Sequence, residues 1–425
     1  MTRSLLLVDG EHYPAVVERG LAALRDQGHD PVAAVFLGGF EKTDAPPRLG
    51  IPMHEGRPEA LLPVLIADLG VEAVLDLSDE PIIDPRTRLR LAGIATAAGA
   101  AYRGGGFEFA PVPRPRLSAL AAVTVIGTGK RTGKTAAAIE IARHLDARGH
   151  DVAIVTMGRG GPPEPVVLER DEGRDPLELM ARLRAQGLHA TSDFVEDAVF
   201  APATTVGTWR LGAGPTGVTV LDNFAAGVAA AVALGPDLLI YEGSGSAVPP
   251  AAADATLLVV PAWIEPEMLF GYFGAVRLAL ADVIVVVGPA PDIAAGVAVE
   301  APHARILEAR YEIETTVPVD GCDVVLVTTA PEMAAPGLVE AVTALGARRV
   351  EIVHSLADRR SLAADLELLG DGHLVLVEVK AAAADVVIPI VTARDIPFGL
   401  VHNRLAADTG LGDAVESVLA ERAGR

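Results

Sequence analysis

A glycine-rich segment follows the apolar run Ala122–Ile126 and reads Gly127-Thr128-Gly129-Lys130-Arg131-Thr132-Gly133-Lys134-Thr135. A helical pattern begins directly after it, at residue 136. A strand, a glycine-rich turn and a helix in this order are the context in which a phosphate-binding loop, or P-loop, is expected. Glycines let backbone amides approach phosphate oxygens, and the start of the helix adds a partial positive charge. The segment therefore predicts that residues 127–135 bind the phosphates of ATP.

Two side chains of this loop have predicted roles. Lys134 is expected to reach the β- and γ-phosphates as a catalytic residue, and the Thr135 hydroxyl is expected to bind Mg²⁺. The loop departs from the commonest pattern, because Gly127 stands one residue early and Thr128 occupies the usual glycine position. A nine-residue loop of this form is similar to the loop of dethiobiotin synthetases and their relatives. The competing interpretation is a glycine-rich turn that binds no ligand.

A metal ion beside a triphosphate also needs a carboxylate, and two predicted strand ends offer one. The apolar run Leu238–Tyr241 ends in Glu242, and the run from Val218 ends in Asp222. We favour Glu242 as a metal ligand and catalytic residue, because the Gly-Ser-Gly sequence after it lets the backbone approach the γ-phosphate. The alternative is that Glu242 is a structural or helix-capping acid.

Three basic residues accompany the predicted loop. Lys130 and Arg131 lie inside it, where most P-loops carry small or neutral residues, and Arg159 follows the next predicted strand, Val152–Thr156. Three cations exceed what a bound triphosphate requires, so they indicate a second polyanion or neutralisation of transition-state charge. We therefore predict catalytic roles for Lys130 and Arg159, and substrate contacts for Arg131 and Arg159. The alternative is that these cations are simply solvated.

The first hundred residues alternate between short apolar runs and helical patterns, beginning with a strand at Ser4–Val8. Such alternation predicts a Rossmann-like parallel sheet covered by helices on both faces, with ligands at the carboxyl ends of its strands. Gly38 and Gly39 follow the second predicted strand, and Arg103 precedes three glycines at another strand end. We expect these three residues to contact substrate; for Arg103 and its glycines, a flexible hinge is the alternative.

The fold class predicted for the chain is α/β, in three parts. Residues 1–110 form the Rossmann-like domain with a substrate-binding role, and the proline-rich residues 111–120 form a linker. Residues 121–290 form a P-loop NTPase domain with the dethiobiotin-synthetase-like loop. Residues 291–425 form a C-terminal α/β region, either separate or continuous with the P-loop sheet. Four apolar runs predict its strands, at Val324–Val327, Val350–Val353, Leu374–Val379 and Val387–Val391.

The amino-acid composition excludes several classes of function. The 425 residues carry 35 basic and 56 acidic side chains, a net charge of −21, which opposes binding to nucleic acid or to an anionic membrane. The single cysteine excludes an intrachain disulfide and cysteine-rich metal sites. No uncharged apolar run is long enough to span a membrane. We expect a soluble cytoplasmic protein, and the sequence leaves a homodimer open.

Five segments together resemble the cyclic 2,3-diphosphoglycerate synthetase family over nearly the whole chain. They are LLLVDGEHYPAVV (5–17), VIGTGKRTGKT (125–135), MGRGGPPEP (157–165), IYEGSGSAVPP (240–250) and KAAAADVVIPIVTA (380–393). The resemblance implies a ligase that uses ATP to cyclise 2,3-bisphosphoglycerate, an anionic small-molecule substrate, and releases ADP and phosphate. It also implies a requirement for Mg²⁺ and stimulation by K⁺.

Two other functions remain open at the level of sequence. A ligase similar to dethiobiotin synthetase shares the loop and the Glu242-Gly243 element, but it does not account for the N-terminal domain. A regulatory or metal-chaperone GTPase predicts a guanine-reading Asn/Thr-Lys-x-Asp motif after a late strand. The sequence after Val287 is instead Gly-Pro-Ala-Pro-Asp, ending at Asp292.

Overall fold

The chain forms two β-sheets, each with α-helices between its strands. The computed structural model describes residues 1–172, 175–188, 192–367, 372–380, 383–407 and 410–424. The first sheet and its helices occupy residues 2–109. Their bounds are β1 Thr2–Val8, α1 Pro14–Asp26, β2 His29–Phe36, β3 Met53–Glu55, α2 Pro58–Leu69, β4 Ala73–Asp76, α3 Pro85–Ala97, β5 Ala101–Gly104 and β6 Phe107–Phe109.

The first sheet has the strand order β3-β2-β1-β4-β5-β6. Its neighbouring strands are parallel except for β6, which runs antiparallel to β5. Residues 4–8 of β1 are buried, as expected for a central strand covered on both faces. The chain leaves β1 toward β2 and returns to β4 on its other side, which makes a topological switch point between β1 and β4. The predicted Rossmann-like parallel sheet is confirmed.

The P-loop part of the second sheet begins at residue 121. Its elements are β7 Ala121–Gly127, α4 Lys134–Ala147, β8 Val152–Gly158, β9 Val166–Leu168, α5 Pro176–Ala185, α6 Ser192–Phe200, β10 Thr204–Leu211, β11 Leu221–Asp222, α7 Phe224–Ala233, β12 Leu238–Glu242, β13 Ala255–Pro261, α8 Pro266–Phe270, α9 Gly274–Leu280, β14 Val283–Val287 and α10 Pro291–Glu300.

The same sheet continues toward the C-terminus. The elements are β15 Arg305–Thr315, β16 Asp323–Val327, α11 Ala335–Ala344, β17 Arg349–Val353, α12 Arg359–Glu367, β18 Leu374–Glu378, α13 Ile388–Ala393, β19 Phe398–Ala407 and α14 Leu411–Ala423. Short 3₁₀ turns lie at Glu332–Ala334 and Ser355–Ala357, and a π-helical turn at Ala383–Val387 precedes α13.

The strand order of the second sheet is β11-β10-β8-β12-β7-β13-β14-β15-β19-β18-β16-β17, with β9 paired to β10. The strand that leads into the glycine-rich loop, β7, lies between β12 and β13 and is parallel to both. The long strand β15 pairs in parallel with β14 through its first half and antiparallel with β19 through its second half. Strand pairing therefore runs without a break from the P-loop part into the C-terminal part. A P-loop sheet after an N-terminal α/β domain confirms the predicted fold class.

One predicted strand is wrong. Residues 387–391 form the end of the π-helical turn and the start of α13 instead of a strand. Val387, Ile388 and Val391 are buried in an apolar cluster with β16, β18 and α6, so one helical face supplies the apolar residues that suggested a strand. Packing has overridden the local preference of β-branched residues for strands. Among the described residues, no helix is both long and apolar enough to cross a membrane.

Helices α3 and α9 join the N-terminal part to the P-loop part. Gly93 lies in the buried face of α3, and a β-carbon there would lie 3.3 Å from the Val276 side chain of α9. Beside this contact Arg90 forms ion pairs with Glu59 of α2 and with Glu300 of α10. The absence of a side chain at Gly93 therefore allows the close approach of the two helices.

We expect Gly93→Leu to destabilise the protein by about 1–3 kcal/mol, because the added side chain must separate α3 from α9. Calorimetric unfolding measures this change. Gly20→Leu is the matched control, because Gly20 lies in helix α1 and a β-carbon there has no atom within 4 Å. Unfolding of Gly93→Leu at the wild-type temperature would contradict the described packing.

Candidate nucleotide-binding site

The glycine-rich loop has the geometry of a phosphate cradle. Gly133 adopts a φ of 99°, a left-handed conformation that glycine accommodates readily, and helix α4 starts at the next residue. A β-carbon on Gly127 would lie 2.3 Å from the Thr132 hydroxyl, so the loop cannot close over a larger residue there. The Lys134 ammonium donates a hydrogen bond to the Gly129 carbonyl at 2.7 Å, which folds its side chain back across the loop.

The Glu242 carboxylate lies at the end of β12, beside the loop. The Thr135 hydroxyl donates to its Oε1 at 2.6 Å, and the Thr156 hydroxyl of β8 donates to its Oε2 at 2.9 Å. Glu242 is buried, so these bonds fix both oxygens of one carboxylate against the first turn of α4. Hydroxyl and carboxylate oxygens beside a triphosphate site are hard ligands, the kind that Mg²⁺ selects.

The competing acid, Asp222, has a different role. Its carboxylate accepts hydrogen bonds from the Phe224 amide at 3.1 Å and from the Thr219 hydroxyl at 2.5 Å. Asp222 therefore satisfies the first amide of helix α7, which is the usual task of an acid at a helix start. Of the two acids that the sequence offers, Glu242 is the one in contact with the P-loop helix.

Arg159 and a second arginine reach the loop that follows Glu242. A β-carbon on Gly245 would lie 3.4 Å from Arg159 Nη2 and 3.2 Å from Arg210 Nη2, so both guanidinium groups lie against this glycine. Arg210 comes from strand β10, is buried, and donates to the Ser244 carbonyl at 2.8 Å. Sequence reasoning missed Arg210 because β10 was not predicted; the visible indication was an arginine at the end of the run Thr204–Leu211.

The C-terminal part of the sheet also contacts the P-loop. The hydroxyl of Tyr311, on β15, would lie 2.6 Å from a β-carbon on Gly133. Desolvation raises the pKa of this tyrosine, so its hydroxyl stays protonated and able to donate a hydrogen bond at neutral pH. Sequence analysis missed Tyr311, because the alternating polar strand β15 does not resemble a buried strand.

Lys380, which follows β18, lies close to the predicted site. Its ammonium is 3.8 Å from the Glu196 carboxylate. Burial lowers the pKa of Lys380, but the charges of Glu196 and Glu378 more than offset that effect, and the resulting pKa is above the ordinary value. The charge of Arg131 acts on Lys380 in the opposite sense, which indicates that the two cations are near one another. The C-terminal part therefore brings a fixed positive charge close to the loop.

The two predicted cations inside the loop, Lys130 and Arg131, are exposed. Arg131 has a φ of 59°, a left-handed conformation that is uncommon for a residue other than glycine, and its side chain faces solvent. Lys130, the residue before it, is exposed as well. Both cations can therefore meet a second ligand that approaches the P-loop from outside.

The substrate residues predicted in the N-terminal part lie at strand ends of the first sheet. The Gly38 carbonyl accepts from the Gly10 amide at 2.9 Å, and Gly39 packs against Ile82 and the Glu11 carboxylate. Arg103 pairs with Glu108 of strand β6 at 3.0 Å. Burial lowers the pKa of His29 at the start of β2, and the charge of Arg103 lowers it further. These described contacts are all within the first sheet, and they do not link the three residues to the P-loop.

Comparison with known proteins gives three domain matches along the chain. Residues 3–110 match the cyclic 2,3-diphosphoglycerate synthetase N-terminal domain, residues 122–316 its P-loop domain and residues 315–404 its C-terminal domain. The chain belongs to the cyclic 2,3-diphosphoglycerate synthetase family. Membership in a family of P-loop synthetases implies ATP as the nucleotide, together with a divalent metal ion.

Curated relatives with that name align with this chain over most of their length. The relative from Rubrobacter xylanophilus is 39% identical over 398 residues, which cover 91% of this chain and 90% of the relative. The relative from Thermococcus gammatolerans is 40% identical over 402 residues, covering 90% and 89%. The relative from Methanothermobacter thermautotrophicus is 33% identical over 450 aligned positions, covering 99% and 96%. This chain therefore contains the counterparts of nearly all of each relative.

We expect Lys134→Ala to lower ATP turnover roughly a hundredfold or more, because it removes the cation that faces the transferred phosphate. Turnover is measured as ADP release, with circular dichroism as the check on folding. Arg148→Ala is the control, since Arg148 lies just past the opposite end of α4 and pairs with Asp413 and Glu416. Normal turnover in Lys134→Ala would remove the P-loop assignment.

Proposed function

We propose that the protein catalyses the ATP-dependent cyclisation of 2,3-bisphosphoglycerate to cyclic 2,3-diphosphoglycerate, with release of ADP and phosphate. Family membership over nearly the whole chain supports this reaction. The observation that carries it is the hydrogen bond from Thr135 to Glu242, with Arg159 lying against Gly245 in the loop that follows Glu242. A metal-binding pair and a guanidinium lie together where a nucleotide and a second anion would meet.

The P-loop and its neighbours would hold the nucleotide. Residues 127–135 cradle the triphosphate, and Lys134 binds its β- and γ-phosphates. Thr135 and Glu242 would hold Mg²⁺, and their oxygen donors fit that ion. Mg²⁺ bound there supplies positive charge against the phosphate oxygens. The family resemblance also implies K⁺, for which we assign no residue.

The first step joins the two substrates. An oxygen of one phosphate of 2,3-bisphosphoglycerate attacks the γ-phosphorus of ATP, and the bond from that phosphorus to the β-phosphate oxygen breaks. ADP leaves, and the substrate now carries a diphosphate group in place of one phosphate. Lys134 stabilises the charge that develops on the departing phosphate chain, and Lys130 and Arg159 neutralise the oxygens of the transferred group.

The second step closes the ring within the same molecule. An oxygen of the neighbouring substrate phosphate attacks the inner phosphorus of the new diphosphate, and inorganic phosphate leaves. Holding both phosphates in attack geometry replaces an encounter between two molecules, which supplies a large part of the rate enhancement. The protein must therefore fix the orientation of the substrate as well as bind it.

The predicted cations are needed to offset the repulsion between ATP and its anionic substrate. The substrate carries about five negative charges beside ATP, and like charges about 4 Å apart repel by several kcal/mol at intermediate dielectric. Lys130, Arg131 and Arg159 supply positive charge at the loop, against a chain of net charge −21. Gly38, Gly39 and Arg103 stay predicted substrate contacts of the N-terminal part. Closure of that part over the P-loop would exclude water and prevent wasteful hydrolysis of ATP.

Incubation of the protein with ATP, Mg²⁺ and 2,3-bisphosphoglycerate is expected to give a cyclic pyrophosphate resonance in the ³¹P spectrum, with one ADP and one phosphate per cyclic product. Omission of ATP is the control and should leave the substrate unchanged. Turnover with diamino acids and bicarbonate, and none with 2,3-bisphosphoglycerate, would support a ligase of the dethiobiotin-synthetase kind. Hydrolysis that depends on GTP alone would support a regulatory GTPase.

Glu242→Gln is expected to raise the Mg²⁺ concentration needed for half-maximal turnover by about tenfold or more, because it removes the charge of a metal ligand. Binding of a fluorescent ATP analogue in EDTA should change little. Asp222→Asn is the matched control, since this acid accepts a hydrogen bond from the Phe224 amide of helix α7 instead of the Thr135 hydroxyl. An equal change in the Mg²⁺ dependence of both variants would contradict the assignment.

A further inference from the structure

Arg277 is a buried cation that forms no ion pair with a carboxylate in the described part of the chain. It lies in α9 and is 6% exposed. It donates to the Ser246 carbonyl at 2.5 Å and to the Pro215 carbonyl at 3.5 Å. Burial lowers its pKa to about 10, so it remains charged at neutral pH. Burial of a charge that only neutral carbonyls solvate costs stability.

The loop that Arg277 contacts is also the loop against which Arg210 and Arg159 lie. Arg210 donates to the carbonyls of Ser244 and Gly212, at 2.8 and 3.1 Å. Gly245 has a φ of 60°, and the Arg210 and Arg159 guanidinium groups both lie within 3.4 Å of the position that a β-carbon would take there. Three arginines from β10, α9 and the end of β8 therefore surround residues 243–246, which we name the arginine loop.

The position of the arginine loop gives this positive charge a use. The loop begins directly after Glu242, whose carboxylate contacts Thr135 at the start of the P-loop helix. Two guanidinium groups against one glycine concentrate positive charge there, and such a concentration attracts an anion. The planar fork of arginine matches the oxygens of a phosphate group in a way that a lysine ammonium does not.

We propose that the arginine loop is a second phosphate subsite, in which Arg210 and Arg159 bind a phosphomonoester or pyrophosphate group of the substrate next to the γ-phosphate of ATP. Arg277 is a positioning residue, which holds the loop through the Ser246 carbonyl. This inference rests on the proposed function for the identity of the substrate. Arg210 forms the buried floor of the subsite and Arg159 its exposed rim, so substrate enters past Arg159.

The subsite explains how one phosphate could be held still while the other reacts. A phosphate group held by two guanidinium groups keeps a fixed orientation, because each fork fixes two of its oxygens. The neighbouring phosphate of the same molecule then remains available to react with the γ-phosphate. The arrangement also lowers the repulsion between ATP and the substrate at the point where the two are closest.

Calorimetric titration tests the subsite in the full-length protein saturated with ADP and Mg²⁺, so that the nucleotide site is filled. The probes are inorganic pyrophosphate and 2,3-bisphosphoglycerate. We expect Arg210→Gln and Arg159→Gln each to weaken both probes about ten- to hundredfold, the usual effect of losing a hydrogen bond from a charged group. ADP affinity should change less than about threefold. Arg116→Gln is the control, since Arg116 pairs with Asp254 on the surface.

Wild-type affinity for both probes in folded Arg210→Gln and Arg159→Gln would overturn the proposal, and so would an equal loss of ADP and probe affinity. Arg159 is exposed, so its variant tests the subsite even where Arg210→Gln does not fold. Arg210→Lys keeps the charge but not the fork, and we expect it to recover only part of the affinity.

Thermal unfolding of Arg277→Met separates a positioning role from a purely structural one. We expect the ligand-free variant to unfold at or above the wild-type temperature, because it no longer buries a charge. The upward shift that pyrophosphate causes in the wild type should be at least halved. A lower unfolding temperature without ligand, together with an unchanged shift on adding pyrophosphate, would overturn the role given to Arg277.

The subsite and the proposed reaction can fail separately. Pyrophosphate binding that depends on Arg210, in a wild-type protein that forms no cyclic product, supports the subsite and overturns the reaction. Formation of cyclic product by wild type, Arg159→Gln and Arg210→Gln at equal rates and equal KM overturns the subsite and leaves the reaction standing.

Discussion

The rest of the site depends on the hydrogen bonds that the Glu242 carboxylate accepts from two threonine hydroxyls. Its Oε1 accepts from Thr135 in the first turn of α4, and its Oε2 accepts from Thr156 of β8. One buried acid therefore fixes the ends of three elements relative to one another, and a buried carboxylate is stable only where such bonds satisfy its oxygens. The same contact sets where the chain turns after β12. The position of residues 243–246, and of the arginines around them, follows from that turn.

The sequence predicted the parts of the fold that depend on local information. A buried strand, a glycine-rich turn and a helix start follow one another within about twenty residues, so β7, the P-loop and α4 were visible in one segment. Strand β15 was not, because its residues alternate between partly buried and exposed and lack the apolar run of a central parallel strand. Residues 387–391 were misjudged because apolar β-branched residues suit a buried helical face as well as a strand.

The candidate site was predictable only where its residues adjoin the P-loop or end a recognised strand. Glu242 qualified because Leu238–Tyr241 is an apolar run, and the structure puts this acid in contact with Thr135. Arg210, Arg277 and Tyr311 lie about 75 to 180 residues beyond the loop in sequence, and strand pairing and helix packing bring them back. No pattern within one segment of sequence predicts that such distant residues come close to the loop, since their positions depend on strand order. Strand pairing and helix packing therefore supply residues around the P-loop and its neighbouring loop that no local motif predicts.

Helix α9 links two features that are otherwise distant. Its Val276 packs against Gly93 of the N-terminal part, while the adjacent Arg277 holds the Ser246 carbonyl beside the nucleotide site. The contact with the N-terminal part and the contact with Ser246 therefore come from consecutive residues of one short helix. A chimera of two relatives would have to take α3 and α9 from the same relative. Otherwise residues from different proteins would meet at the contact between Gly93 and Val276. Evolution of the N-terminal part is constrained by the same contact.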